Sequence, residues 1–562
     1  MKQSLGVGRQ AVQLPGNRVF VGQAAHLLNI SRAINRRAAC STIFVTAMSE
    51  PERQTAAPQP RHEGGLRYVV ESLISLAIAV LLVRSFAVEG YIISTGSMAP
   101  YLLGYHKQVV CPDCRFPFAV GVPVDESYET NGPVSCPNCG QTKIDLEHVP
   151  RNEGDQLLVQ KLAYLFRQPN RWEVVVFQNP SRPVQAYVKR VIGLPSEAIQ
   201  VIAGDVFING ELVRKNLAEQ RSTRIPICSQ QHRPDGWDDL RWQADEPWQT
   251  LSNGFDLRNP QREQGRALQN VSKTKAEPRE ESALADAASV KDNVEQTATQ
   301  SAFAWVTYRG DAPQRDGTKT PTTRGPQWPA DDYAYNGLSE RSARYWSRDL
   351  MTAMQLELHS GRGEFILVMH DGCEAFELRL NADARELSMH AANNDEPLHV
   401  TKLANQLWRR RMLLEMSLFD RQILVAVDGK TIFSQKLPLR TNEGLAVGNA
   451  ESGPVAVRFG ASDLQVSVRD LMLYRDVYYT RGDATHGVKE PHQLGDAEYF
   501  FLGDNSPVSL DSRSWPDPVV QDHMLLGKPF MVHLPSRPGR IKLGSAEWHI
   551  RVPDWSHIRY IR

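Results

Sequence analysis

The run Ala186–Pro195 reads AYVKRVIGLP. Tyr187 to Ile192 is rich in β-branched and aromatic residues and stops at a Gly-Leu-Pro turn, which predicts a strand. Lys189 lies in its middle and, taken alone, reads as a solvated strand lysine. Outward from it, GDQLLVQKLAY (154–164) and RWEVVVF (171–177) are strand-like, and VFINGELVRK (206–215) is an Asn-Gly hairpin. From Leu350 the pattern is strand after strand: MQLELH, EFILVMHDG, FELRL, RRMLLEMSLFDRQILVAVDGKTIF, PVAVRFG and DLQVSVRDLMLYRD. Leu464, Val466 and Val468 alternate with polar residues, and Asp428-Gly429 joins two apolar runs as a hairpin turn. The expected fold is therefore mainly β.

The chain has 562 residues, which suggests three or four domains. Lys+Arg and Asp+Glu each number 64, so the formal charge is zero, and this disfavours a nucleic-acid partner bound through global charge. A hydrophobic content of 41 % with 23 % charged residues is globular, and argues against wholesale disorder and against a polytopic transporter.

Tyr68–Val88 reads YVVESLISLAIAVLLVRSFAV. Its strictly uncharged run is short, and a full span takes in Glu71 and Arg84 near the ends, where long side chains reach the interface. A transmembrane helix over 67–90 is expected, with membrane lipid as its partner; a buried helix and a secretory segment are the alternatives. Arg53, Arg61 and Arg67 precede it, whereas only Lys107 lies between Ser85 and Val110. The positive-inside rule then leaves the N-terminus cytoplasmic and the rest extracytoplasmic. Residues 1–66 read as a flexible cytoplasmic tail, and translation starts at Met1 or at Met48.

Two more segments complete a pattern. Gly90–Leu103 reads GYIISTGSMAPYLL, and Tyr499–Trp515 reads YFFLGDNSPVSLDSRSW. Each alone is weak: a serine among Gly, Met and Pro, and a turn. In this order behind one apolar helix, they resemble the bacterial type I signal peptidases, the serine–lysine leader peptidases. Thr95-Gly96-Ser97-Met98-Ala99-Pro100 matches the nucleophile box, Tyr187 to Pro195 the lysine box, and Gly503 to Trp515 the C-terminal box. The resemblance covers about 90–214 and 477–540 and implies an all-β catalytic core of that family's fold.

What the resemblance implies is a membrane-bound serine endopeptidase of the cell membrane. Its substrates would be exported preproteins, cleaved at the signal peptide after small residues. Ser97 would be the nucleophile and Lys189 the general base, with Thr95 and the Ser97 N–H as oxyanion donors. Ser509 would orient the lysine, Asp511 and Arg513 would brace the site, and Met98 and Tyr187 would line the substrate pocket. The chemistry is coherent, because a serine hydroxyl needs a base and a lysine serves only when desolvation brings its pKa towards neutrality. Val188, Val191 and Ile192 are candidates for that desolvation. Without this setting, Asp511 and Arg513 read as a surface ion pair of little worth. No cofactor is implied for catalysis. Departures from the pattern are Thr95 for Ser, Trp172-Glu173 for Gly-Asp, Ser196 for Gly and Pro516 for Gly.

Cys111-Pro-Asp-Cys114 and Cys136-Pro-Asn-Cys139 are two knuckles whose spacing suits a structural Zn²⁺ of the zinc-ribbon kind, set as an insertion (111–139) in the first part of the core (91–214). A pair of disulfides is the alternative. Cys40, Cys228 and Cys373 show no pattern and read as buried thiols. Residues 215–476 form an insert before the second part of the core (477–562). It holds Trp237, Trp242 and Trp248, a polar linker near 259–302 and a β-sandwich near 345–476, similar to concanavalin-like jelly rolls. The arrangement looks like signal peptidases of planctomycete-type bacteria. An envelope glycan or a protein is a candidate ligand for the insert, although its aromatic residues read more readily as core. The competing functions are a soluble self-cleaving repressor, which the apolar helix and neutral charge disfavour, and a catalytically inactive membrane-tethered adhesion protein, which the intact Ser97 and Lys189 disfavour.

Overall fold

Apolar side chains line every face of the segment after Gly65, and it forms a helix over Gly65–Leu82 that continues as a wider turn over Val83–Ala87. Arg67–Ala87 is 21 residues long with a mean hydropathy of 2.1 and is fully exposed, so its length and composition suffice to cross a bilayer. The expected span ran to residue 90, but Val88–Ile92 is a strand paired with Gln156–Gln160. Glu89 and Gly90 sit poorly in an apolar helix, and ladder hydrogen bonds take up their backbone instead. This computed structural model describes residues 65–561 apart from 125–133, 235–240, 259–302, 311–327, 338–344, 393, 395, 404–410, 440–453, 534–535 and 544–545. The tail up to residue 64 with Met48 and Cys40, the linker 259–302 and Trp237 lie outside the described residues.

The chain is mainly β. One eight-stranded antiparallel sheet runs in the order Val88–Ile92, Gln156–Gln160, Leu525–Val532, Val174–Asn179, Arg182–Gly193, Glu498–Leu502, Val520–Gln521, with Arg559–Tyr560 added on Leu525–Val532. The lysine strand Arg182–Gly193 thus lies beside Glu498–Leu502, with Arg190 opposite Leu502. A stretch of roughly 300 residues between them in sequence does not separate them in space. The Asn-Gly hairpin forms as expected, with Asn209 and Gly210 at φ of 52° and 82°, the left-handed pair that a tight hairpin turn requires.

A thirteen-stranded sheet gathers the strands of the insert. Its spine is Leu350–His370 against Val457–Arg475, and one core takes in Trp242, Trp248, Phe255, Tyr308, Phe365 and Phe459. The sandwich was expected to begin near 345. Ile225–Ser229, Gly254–Leu257 and Ala304–Tyr308 also pair with Val457–Arg475. These strands are only four or five residues long, too short to show a period. Trp242 and Trp248 are core, at 2 % and 6 % exposed, whereas Trp305 and Trp346 are half-buried. Cys228 is buried as expected, whereas Cys373 is exposed, because it follows the turn made by Asp371 and Gly372.

Candidate active site

Strand alternation decides what surrounds Lys189. Tyr187 and Val191 share its face of the strand and pack with Phe177, Phe501 and Trp515. Val188 packs instead with Met98, Val174 and Val176, and Ile192 with Trp172 and Phe500, so those two cover the opposite face rather than the lysine. Lys189 is 3 % exposed. Burial brings its ammonium down to about 8; Arg513 pushes the same way, and Asp511 and Asp504 push back. Its Nζ donates to Ser509 Oγ at 3.2 Å.

Gly503 joins the lysine's surroundings to the serine's. A Cβ at this position would lie 2.2 Å from Ser509 Oγ and 2.5 Å from the Ser97 carbonyl oxygen, so only glycine allows both to close on it. Ser97 is half-buried, and its Oγ lies 3.5 Å from Thr95 Oγ1 on an exposed face. Met98 is 1 % exposed and faces the core, so its side chain lies beneath the serine loop rather than on its surface. Tyr187 is half-buried against Trp515, with ring centroids 6.0 Å apart.

Asp511 and Arg513 form a buried pair at 2.7 Å rather than a surface one. Burial would raise the Asp511 carboxyl, but the guanidinium of Arg513 outweighs it and holds the group below the usual carboxylate range. Asp511 accepts from the Gly503 N–H at 3.1 Å, and Arg513 donates to Ser506 Oγ at 2.8 Å and to Thr480 O at 2.6 Å. The pair therefore fixes the start and the middle of the 503–509 turn.

Sequence reasoning assigned no role to several residues that the site uses. On the far face of the lysine strand, Arg190 meets Asp504 at 2.6 Å with both side chains buried, and also donates to Trp172 O and Ser222 O. Asn505 donates from its backbone to Ser97 O at 3.1 Å and from Nδ2 to Gly96 O at 2.9 Å. The Lys-Arg doublet was visible, but nothing local revealed that its partner stands 314 positions away. Trp172 and Ser196, which stand where the resembled pattern has glycine, take φ of 68° and 66°. The backbone there takes the left-handed form without the residue that favours it.

The four expected cysteines come together. Cys111, Cys114, Cys136 and Cys139 are all buried, with every sulfur within 4.8 Å of the others. Cys111 to Cys139 and Cys114 to Cys136 are each 3.6 Å. Asn138 ties the second knuckle to the insert by accepting from the Ser229 N–H at 2.7 Å, and Arg241 donates to Asn138 O at 2.8 Å.

Residues 150–276 match the family model described as signal peptidase, peptidase S26. The chain carries a domain of this bacterial signal peptidase type. The match takes in the lysine strand; Ser97 and the 503–515 turn lie outside it. A signal peptidase I of Leptolyngbya laminosa is 44 % identical over 70 residues, covering 11 % of this chain and 34 % of that protein. Signal peptidase I V of Bacillus subtilis is 39 % identical over 61 residues, covering 11 % of this chain and 35 % of that protein. The chain thus spans about a third of the length of these curated relatives. Among solved structures, a carbohydrate-binding module from Bacillus subtilis covers 30 % of this chain and 80 % of its own, at 8 % identity and a TM-score of 0.18.

Proposed function

We propose that the chain is a membrane-anchored serine endopeptidase that removes signal peptides from exported preproteins. The observation that carries this reading is the buried Lys189, with its ammonium near 8 and its Nζ on Ser509, across Gly503 from the Ser97 carbonyl. Ser97 Oγ attacks the scissile carbonyl while Lys189 Nζ takes its proton. The oxygen that becomes negative is met by the Ser97 N–H and the Thr95 hydroxyl. The intermediate collapses, the peptide C–N bond breaks, and Lys189 returns the proton to the leaving amine. Water then cleaves the acyl–serine ester by the same proton path. The Arg67–Ala87 helix would hold the enzyme beside membrane-held substrates, with the catalytic part extracytoplasmic. The test is cleavage of a preprotein by detergent-solubilised enzyme, with the product N-terminus sequenced. Cleavage after a small residue, lost in Ser97→Ala and Lys189→Ala, is expected; a folded wild type that leaves preproteins intact overturns the reading.

The cysteine cluster fits a structural Zn²⁺. Four thiolates at about 2.3 Å from a tetrahedral zinc stand about 3.8 Å apart, and the 3.6 Å separations match. Zinc there would supply folding energy and hold the knuckles against the insert. Metal analysis is expected to find one zinc per chain, lost in Cys136→Ser.

A further inference from the structure

The insert sends a short segment, Ala330–Asn336, back to the serine loop. Tyr333 donates its hydroxyl to Asp504 O at 2.9 Å, and the Arg475 guanidinium stacks 4.7 Å from its ring. Tyr335 lies across two glycines: a Cβ at Gly96 would fall 1.9 Å from its ring and one at Gly121 2.3 Å from it. Its hydroxyl donates to Tyr105 O at 2.9 Å. Asn336 and Asn505 exchange side-chain amide bonds at 2.7 and 2.8 Å, and the same Asn505 donates to Gly96 O at 2.9 Å and to Ser97 O at 3.1 Å. The segment is tied down at its root, where Asp331 N–H donates to Tyr345 O at 2.9 Å, and at its turn, where Asn336 N–H donates to Tyr333 O at 3.0 Å.

We infer that Tyr335 and Asn336, carried by the insert, are positioning residues for the Ser97 nucleophile. The inference rests on the peptidase reading above. Gly96 and Ser97 sit in a loop with one side open to substrate. Within the loop, Ala99 N–H donates to Gly96 O at 3.0 Å and Leu102 N–H to Met98 O at 2.9 Å. Tyr335 supplies a rigid ring on Gly96, and Asn336 fixes the Asn505 amide so that its Nδ2 points at Gly96 O. A free Asn505 amide could turn over and present its oxygen to that carbonyl. The insert thus completes the catalytic loop.

The test uses the full chain in detergent, with Asn336→Ala and the near-isosteric Asn336→Asp, which still accepts from Asn505 but cannot donate to it. Two readouts run together: kcat and KM on a signal-peptide substrate, and hydrogen exchange of backbone amides in 94–104 and 503–506. Because a displacement of about 1 Å can cost up to about 100-fold in rate, a fall of about 10-fold in kcat is expected, with KM within about twofold. The rise of activity with pH that Lys189 sets should not move, since neither residue touches the lysine. Exchange in the serine loop should quicken at least about fivefold while Gln156–Gln160 stays unchanged. If Asn336→Ala does not fold, Tyr335→Leu, which removes the ring from Gly96, takes its place with the same signs. Folded variants with wild-type kcat and wild-type exchange overturn the inference, as does a uniform rise in exchange, which would mark general destabilisation. A wild type that cleaves nothing sinks the peptidase reading instead, and with it the catalytic sense of the inference; faster loop exchange in the variants would then still show that the insert holds the loop.

Discussion

The pH dependence of cleavage carries a number that the structure sets. As the proposed base, Lys189 must be neutral to take the serine proton, and burial puts its midpoint at about 8 rather than 10.5. The neutral fraction is then about 9 % at pH 7 and about 91 % at pH 9, so kcat/KM should rise about tenfold over that interval and level off by about pH 9.5. A lysine at its ordinary value would instead give a rise of about 100-fold from pH 7 to 9 with no plateau below about pH 11. The assay is initial-rate cleavage of a soluble signal-peptide substrate, from pH 6 to 10 at constant ionic strength. Ser509→Ala sharpens it. Ser509 accepts from the ammonium form, so its loss should move the midpoint below 8 and lower the plateau, because the amine is no longer aimed. A profile flat from pH 6 to 9, or one still climbing 100-fold to pH 10, would refute the assignment of the base.

Three further outcomes follow from the same geometry. Gly503→Ala should fold but lose more than about 100-fold in kcat, since the new Cβ displaces both Ser509 Oγ and Ser97 O; near-normal turnover would show that neither needs its place. Asp504→Asn leaves the Arg190 guanidinium buried without its carboxylate and should cost about 3–5 kcal/mol in thermal or denaturant unfolding; a loss under about 1 kcal/mol would contradict the buried pairing. Lys189→Met should abolish cleavage yet stabilise the fold at pH 7. There the folded and unfolded lysines are both protonated, and the drop from 10.5 to about 8 means that the folded one carries a penalty of about 3 kcal/mol. Loss of the Ser509 bond reduces the expected gain to about 1–3 kcal/mol. The gain should fade between pH 8 and 10.5, where the folded lysine is neutral while the unfolded one still holds its proton, and unfolding followed at pH 7 and pH 10 checks both sign and window.

Reading the residues in order reached a good part of this site, for an identifiable reason. The serine loop, the lysine strand and the 503–515 turn are each contiguous, and some of the contacts inside them are short-range, such as Asp511 with Arg513 two positions on. Four cysteines in two tight knuckles are also local, and their sulfurs do converge. Burial was harder to read. Asp511 and Arg513 in isolation look like a surface pair, and Val188 and Ile192 look like the lysine's shield until alternation assigns them to the other face. The short strands at 225–229, 254–257 and 304–308 carried no period, and only pairing with Val457–Arg475 reveals them as part of the thirteen-stranded sheet.

Residue order alone determined the apolar helix, the mainly β character, the cysteine knuckles and the three segments that hold Ser97, Lys189 and Ser509, because those depend on side-chain type and on spacings of a few residues. Tertiary structure alone decided that Arg190 meets Asp504, that Gly503 stands between Ser97 and Ser509, and that Tyr335 and Asn336 reach the serine loop from an insert more than two hundred residues away. Such contacts join points that chain entropy keeps apart until the sheets form, and no local pattern encodes which distant partner will close them.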